Sequence, residues 1–308
     1  MRKISVGQTL SAAYSFTINN YLRILGVTWF PTAVLFAFMF WQFVPFMADM
    51  VPGTAANDPQ TMMASLSHVF LFELVSFFVV VLICAGVTKL ALGRDLKWPF
   101  FYVALDGDYW RLVLSFFLAA LIFFGIILVT SIIMGAVVGV AAVSMAGPHP
   151  DPEQIRLGVA KLTLLIALPV YAIMLVLAIK FGFLLTPIVI TEKKIGLGRN
   201  WSLTNGNFWR LFVVLLGLLV PFLVLTVLQY LLLSALGGPA MNILNAFKSP
   251  EAQMLFNANL MNLYRTYWYV IVVVGELFSP VIYGLFLGGS AFAYRALVPD
   301  AVHADTFE

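Results

Sequence analysis

Apolar residues in this chain come in long unbroken blocks, not in the alternation of a strand or the single stripe of a surface helix. Six blocks reach the roughly 20 residues of helix that cross a hydrocarbon core of about 30 Å. They cover residues 22–47, 69–90, 112–145, 162–190, 211–236 and 267–294. The third is longer than one crossing needs, so it must tilt, bend or project, with Gly135 and Gly139 as bend or close-packing points. The fourth holds Pro169 and Pro187, which predict a kink and an end before Pro187, since proline lacks the helical N–H. In the sixth, Gly284, Gly288, Gly289 and Ser290 recur at helical spacing and read as a packing face.

The polar segments between blocks share a pattern. Asn19-Asn20-Tyr21-Leu22-Arg23, Asp106-Gly107-Asp108-Tyr109-Trp110-Arg111 and Asn205-Gly206-Asn207-Phe208-Trp209-Arg210 each place a polar turn, an aromatic residue, a bulky residue and an arginine just before a span. The first copy is looser and lacks the glycine. Each turn follows a short stretch with an apolar side: Leu10, Tyr14 and Ile18; Trp98, Phe101 and Leu105; and, more weakly, Leu197, Trp201 and Leu203. Such stretches are expected to be helices lying in the headgroup region. Gly in the turn tolerates positive φ, and the Asp or Asn side chain satisfies free backbone N–H groups. The aromatic residue is expected at the interface, with the arginine reaching to headgroups. The fold class is therefore all-α: a polytopic membrane protein with six transmembrane helices in three two-span units, entered through short cytoplasmic interfacial helices. The units run over about 1–92, 93–190 and 191–297 of a single membrane domain, followed by a short tail at 298–308. Successive units point the same way, which allows three parallel repeats around an axis along the membrane normal.

Composition agrees with the blocks. Of 308 residues, 62% are hydrophobic and 10% charged, and the mean hydropathy is +0.99. A soluble domain carries about a quarter charged residues, so lipid must cover much of this surface. The net charge of +3 follows from the placement of Lys and Arg. With the N-terminus inside, Arg2, Lys3, Arg23, Lys89, Arg94, Lys97, Arg111, Lys180, Lys193, Lys194, Arg199, Arg210 and Arg295 are cytoplasmic, and Arg156, Lys161, Lys248 and Arg265 are outside. That bias predicts both termini in the cytoplasm of a bacterial-type inner membrane. The outer loops, with Asp49, Asp58, Asp151, Glu153 and Glu251, are too short for a separate domain. No apolar core precedes Tyr21, so the first span is expected to serve as an uncleaved targeting signal.

Chemistry-bearing residues are few. One cysteine, Cys84, lies inside an apolar block, and three histidines (His68, His149, His303) are far apart, which leaves no local metal motif. No nucleophile-elbow, phosphate-loop, zinc-protease or Cys-x-x-Cys pattern is present. No enzyme activity and no cofactor is expected, and no dense basic run suggests nucleic acid. Ionisable groups within spans are costly and so draw attention. Glu276, beside Gly275 and one turn before Pro280, is the first; that proline frees the Glu276 carbonyl from its helical partner. It reads either as a structural hydrogen bond or ion pair, or as a proton or cation site. Glu73, near His68, either reaches the outer interface or belongs to such a site. Lys180 either reaches inner headgroups or does the same. Arg23, Arg111 and Arg210, with Trp110 and Trp209, either anchor the topology or contact lipid headgroups through their phosphates.

The segment from Leu184-Leu185-Thr186-Pro187-Ile188-Val189-Ile190 through Gly196-Leu197-Gly198-Arg199-Asn200-Trp201-Ser202-Leu203-Thr204-Asn205-Gly206-Asn207-Phe208-Trp209-Arg210 resembles the glycerophosphoryl diester phosphodiesterase membrane-domain family and related bacterial inner-membrane proteins. The closing Ala293-Tyr294-Arg295-Ala296-Leu297 is similar to that family's last element. Asn200-Trp201-Ser202 stands where the family more often has Arg-Ser-Trp. The resemblance implies a membrane module without the catalytic barrel that gives the family its name. Two functions remain: a non-enzymatic module organising membrane lipids or partner proteins, a second copy included, or a small-solute or ion transporter with its site at Glu276.

Overall fold

The computed structural model describes residues 2–43, 59–96, 100–145, 152–237 and 250–299. Among them there is no strand. The helices are α1 (Val6–Asn19), α2 (Tyr21–Phe38, continued by a π-helical turn at Met39–Phe43), α3 (Pro59–Ala91), α4 (Gly107–Met145), α5 (Pro152–Leu177, continued by a π-helical turn at Ala178–Phe183), α6 (Leu185–Glu192), α7 (Leu197–Thr204), α8 (Phe208–Gly237), α9 (Pro250–Thr266) and α10 (Trp268–Leu297). Six stretches are long and apolar enough to cross a membrane: Tyr21–Gln42, Ser67–Ala91, Gly107–Ala141, Lys161–Glu192, Phe208–Leu232 and Trp268–Leu297. The six-span all-α architecture is thus as expected. Trp98, His149, His303, the loop residues Asp49, Asp58 and Asp151 and most of the tail lie outside the described residues.

The long third block is one unbroken helix. The 39 residues of α4 extend about 58 Å at 1.5 Å each, almost twice the hydrocarbon thickness. The helix runs on through Gly135 and Gly139, and among the described residues a Cβ at either would meet nothing within 4 Å. In the fourth block Pro169 sits within α5 without interrupting it. The break comes at Leu184, after the π-helical turn, so Pro187 falls in the first turn of α6, where its missing N–H costs little. The Phe183 carbonyl at this break accepts a hydrogen bond from the Ser290 hydroxyl of α10.

α10 is the hub. It touches α1, α2, α3, α6, α8 and α9, whereas the two-span pairs α2/α3, α4/α5 and α8/α10 each make contact within themselves. The burial of α10 is concentrated in its second half, from Ser279 to Tyr294, while Trp268, Tyr269, Val273 and Leu277 are exposed. The glycines of α10 explain the close fit. A Cβ on Gly284 would lie 2.9 Å from Ile24 and Thr17, one on Gly288 2.8 Å from Phe16, and one on Gly289 2.5 Å from Leu218.

The same packing takes in α1. It lies along α10 and α8 with Thr9, Ala13, Phe16 and Thr17 buried. Leu10 and Tyr14 meet Gly217 of α8, where the Tyr14 hydroxyl donates to the Gly217 carbonyl at 2.8 Å, and Ile18 is 72% exposed. The second stretch is corrected: residues 100–106 are turn and extended chain, with Tyr102 buried against Gly86 while Phe101 and Leu105 face outward. The third stretch is the helix α7, with Trp201 exposed.

The three turns before the spans differ in chemistry. Asn20 closes α1, its Nδ2 donating to the Phe16 carbonyl at 3.0 Å. Asp106 caps α4: its Oδ1 accepts the Tyr109 N–H at 3.0 Å, and Gly107 is simply the first helical residue. Only Gly206 takes the left-handed conformation, with φ of 78°. In all three the aromatic residue turns inward: the Tyr21 hydroxyl donates to the Leu277 carbonyl at 2.7 Å, Tyr109 is buried, and Phe208 packs in the core. The next residue (Leu22, Trp110 or Trp209) faces outward, and the residue after the arginine (Ile24, Leu112 or Leu211) is wholly buried.

Candidate functional site

Thr28 and Thr32 lie one turn apart on α2 and face Glu276 and Ser279 on α10. The Thr32 hydroxyl donates to Glu276 Oε2 at 2.5 Å, and the Thr28 and Ser279 hydroxyls are 3.0 Å apart. Pro280 leaves the Glu276 carbonyl without its helical donor, and the Ser279 hydroxyl replaces it at 3.0 Å. Gly275 lets Phe36 of α2 lie against α10; a Cβ there would be 2.3 Å from the ring. Thr32 has one proton but three acceptors in reach, since the Thr28 and Trp29 carbonyls are 2.8 and 3.1 Å away. Glu276 Oε1 is buried with no hydrogen-bond partner among the described residues.

Beside this network, between α2, α3, α8 and α10, is a cavity of about 410 Å³. Its walls are largely apolar, with Phe36, Phe72, Phe222 and Phe278 prominent. Polar groups come from Thr32, Ser76, Thr226, Gln229 and Ser279. Each lies on the one helix face that its spacing allows, so a packed apolar bundle is left with a pocket carrying a few hydroxyls and an amide. Glu276 does not itself line the cavity; it is joined by a hydrogen bond to Thr32, which does.

The other sequence candidates are dispersed. Glu73 is exposed on α3, away from the Thr32 contact, and the neighbouring His68 bonds Gln42 of the first span at 2.6 Å. Lys180 is bonded elsewhere than to Glu276. It donates to Asn205 Oδ1 and lies 4.8 Å from the centre of the Trp201 ring, so it fastens the π-helical turn to α7 and the turn after it. Arg111 pairs with Asp108 at 3.1 Å, and Arg210 donates to the Ile4 carbonyl at 2.8 Å. Arg23 makes no hydrogen bond or ion pair among the described residues; it lines a second cavity. Trp110 and Trp209 are exposed, 54% and 73%.

A cluster missed in the sequence lies at the end of the bundle where Arg94, Arg111 and Arg295 gather. Lys89, at the end of α3, is buried and pairs with Asp106, with Asp108 at 3.4 Å. Arg94 reaches Asp108 at 3.8 Å. Burial alone would raise the Asp106 carboxyl, but the bonds from Lys89 and the Tyr109 N–H outweigh it and hold the group below its ordinary value of 3.8. The sign follows. A depressed folded-state pKa gives stability that is complete above pH 3.8 and is lost as pH falls through the folded value. Loosening of this end is therefore expected only below about pH 4. Thermal unfolding of wild type and Asp106→Asn in detergent checks it: the wild type is expected to lose its margin over the variant across that window and nowhere above it. On the same end, the Tyr294 hydroxyl donates to Glu192, which pairs with Arg199 at 3.0 Å, and Arg295 donates to the Leu92 carbonyl.

Among the described residues no three His, Cys, Asp or Glu side chains come together as a metal site. Compared with protein-family models, curated proteins and solved structures, the chain matches none.

Proposed function

We propose that this protein is a non-enzymatic integral membrane module that takes a membrane lipid into its bundle, with both termini on the cytoplasmic side of a bacterial-type inner membrane. The observation that carries the reading is the cavity of about 410 Å³ between α2, α3, α8 and α10. Its size is that of a small-molecule site, typically some 300–1,000 Å³. Its aromatic walls favour a hydrocarbon chain over water, and its hydroxyls supply a few oriented polar contacts. The orientation rests on the excess of Lys and Arg at the end holding residue 4 and residues 294–298, which pack together. The shared inward-aromatic geometry of the three turns supports the reading of a repeated unit. The family resemblance of residues 184–210 belongs to the same proposal and points to a membrane module without a catalytic domain. A second copy or another membrane protein is a further partner within this reading.

The partnerless Glu276 Oε1 favours a second reading, a solute or ion path past this carboxylate. Single cysteines at Val272, Glu276, Ser279 and Tyr283, in a Cys84→Ala background, separate the two. A water-soluble thiol reagent is expected to leave all four unmodified in membranes if lipid fills the cavity. Rapid modification at 276 and 279 would establish a water path and displace the lipid reading.

A further inference from the structure

Arg23 differs from Arg111 and Arg210 in making no hydrogen bond or ion pair among the described residues, and where it stands suggests why. The first turn of α2 and the chain following α3 enclose a cavity of about 540 Å³. Arg23, Arg94 and Asp95 line it together with Asn20. Its remaining wall is apolar, with Val27, Leu90 and Leu96. Leu22 and Phe100, which also line it, are 72% and 67% exposed, so the cavity opens beside a lipid-facing apolar surface.

Charge defines the ligand. Arg94 already faces Asp108 at 3.8 Å, whereas Arg23 has no charged partner among the described residues, and Asp95 brings a carboxylate to the same cavity. A doubly charged free phosphate would be repelled by Asp95. A phosphodiester carries one negative charge and matches the guanidinium fork, and a head group with N–H or O–H donors gives Asp95 a partner. The acyl chains would then run down the exposed apolar flank at Leu22.

We propose that Arg23, with Arg94 and Asp95, forms a site for the phosphodiester head of an inner-leaflet glycerophospholipid whose head group carries hydrogen-bond donors. The site deepens the lipid-binding reading but is separate from the cavity beside Glu276, so each can fail alone.

The test uses the full chain in detergent, with bound lipid counted by native mass spectrometry after titration with phosphatidylethanolamine or phosphatidylcholine. Arg23→Gln is expected to weaken phosphatidylethanolamine binding about tenfold or more, the effect of losing a charge-assisted hydrogen bond. Arg210→Gln, whose guanidinium is held by the Ile4 carbonyl, should leave it unchanged. Asp95→Asn should reduce the preference for phosphatidylethanolamine over phosphatidylcholine, whose head has no donor. Arg23 is exposed, so an unchanged melting temperature is expected and verifies the fold. Equal binding by wild type and Arg23→Gln would overturn the site. Displacement of the lipid by millimolar inorganic phosphate would overturn the lipid as its ligand and assign it to free phosphate. Loss of lipid only when the cavity beside Glu276 is filled, with Arg23→Gln silent, would reject this site and leave the other standing.

Discussion

Gly284→Leu is expected to destabilise the protein by at least about 1–3 kcal/mol, the usual cost of overpacking, and to push α1 away from α10. A Cβ at Gly284 would already lie 2.9 Å from the Ile24 methyl and the Thr17 hydroxyl, and 3.0 Å from Thr17 Cγ2. Thr17 cannot swing aside freely, because it is β-branched and its hydroxyl bonds the Ala13 carbonyl at 2.8 Å. Relief therefore requires movement of the helix. The control is Gly125→Leu in α4, where a side chain meets open space; it should stay within about 0.5 kcal/mol of wild type. Thermal unfolding in one detergent compares them. Equal losses for the two variants would show that α10 is not the tightly packed hub.

Lys89→Met is expected to cost about 1–3 kcal/mol. Breaking a buried pair by removing one partner costs about 3–5 kcal/mol, discounted here because Asp106 is nearly half exposed. The ammonium lies between Asp106 and Asp108, so its loss leaves two carboxylates facing each other, with Arg94 and Arg111 on the Asp108 side. Adding Asp106→Asn to Lys89→Met should recover part of the loss, since the amide can still accept the Tyr109 N–H through its oxygen while removing a charge. If single and double variants unfold alike, the pair contributes nothing.

The sequence made the spans legible because their lengths and apolar content are imposed by the bilayer. Pro187 marked the break in the fourth span, and the polar turns marked the starts of α2, α4 and α8. What it concealed depends on neighbours far along the chain. α1 looked like a helix for the headgroup layer because Leu10, Tyr14 and Ile18 share a side; Gly217 takes up Leu10 from that side, and Gly284 and Gly288 take up Thr17 and Phe16 from another. The stretch around Phe101 had helical spacing over too few residues to outweigh the burial of Tyr102 against Gly86. At the site, Glu276 and the freed carbonyl before Pro280 were legible, yet Thr32 was not singled out. The signal was present: Thr28 and Thr32 at i and i+4 in the first span place two hydroxyls on one face, matching Glu276 and Ser279 at i and i+3. The Lys89 cluster is hidden in the sequence because Lys89, Arg94 and Arg295 enter there only through the charge bias.

The central claim is that a lipid occupies the cavity between α2, α3, α8 and α10. Ser76 lines it, so Ser76→Phe fills it without touching the Thr32–Glu276 contact. Native mass spectrometry of the protein released from its own membrane is the direct measurement. The wild type is expected to carry a lipid that Ser76→Phe lacks, at equal thermal stability and with binding at Arg23 retained. A wild-type protein free of lipid, or a variant holding the same lipid as fully, would contradict it.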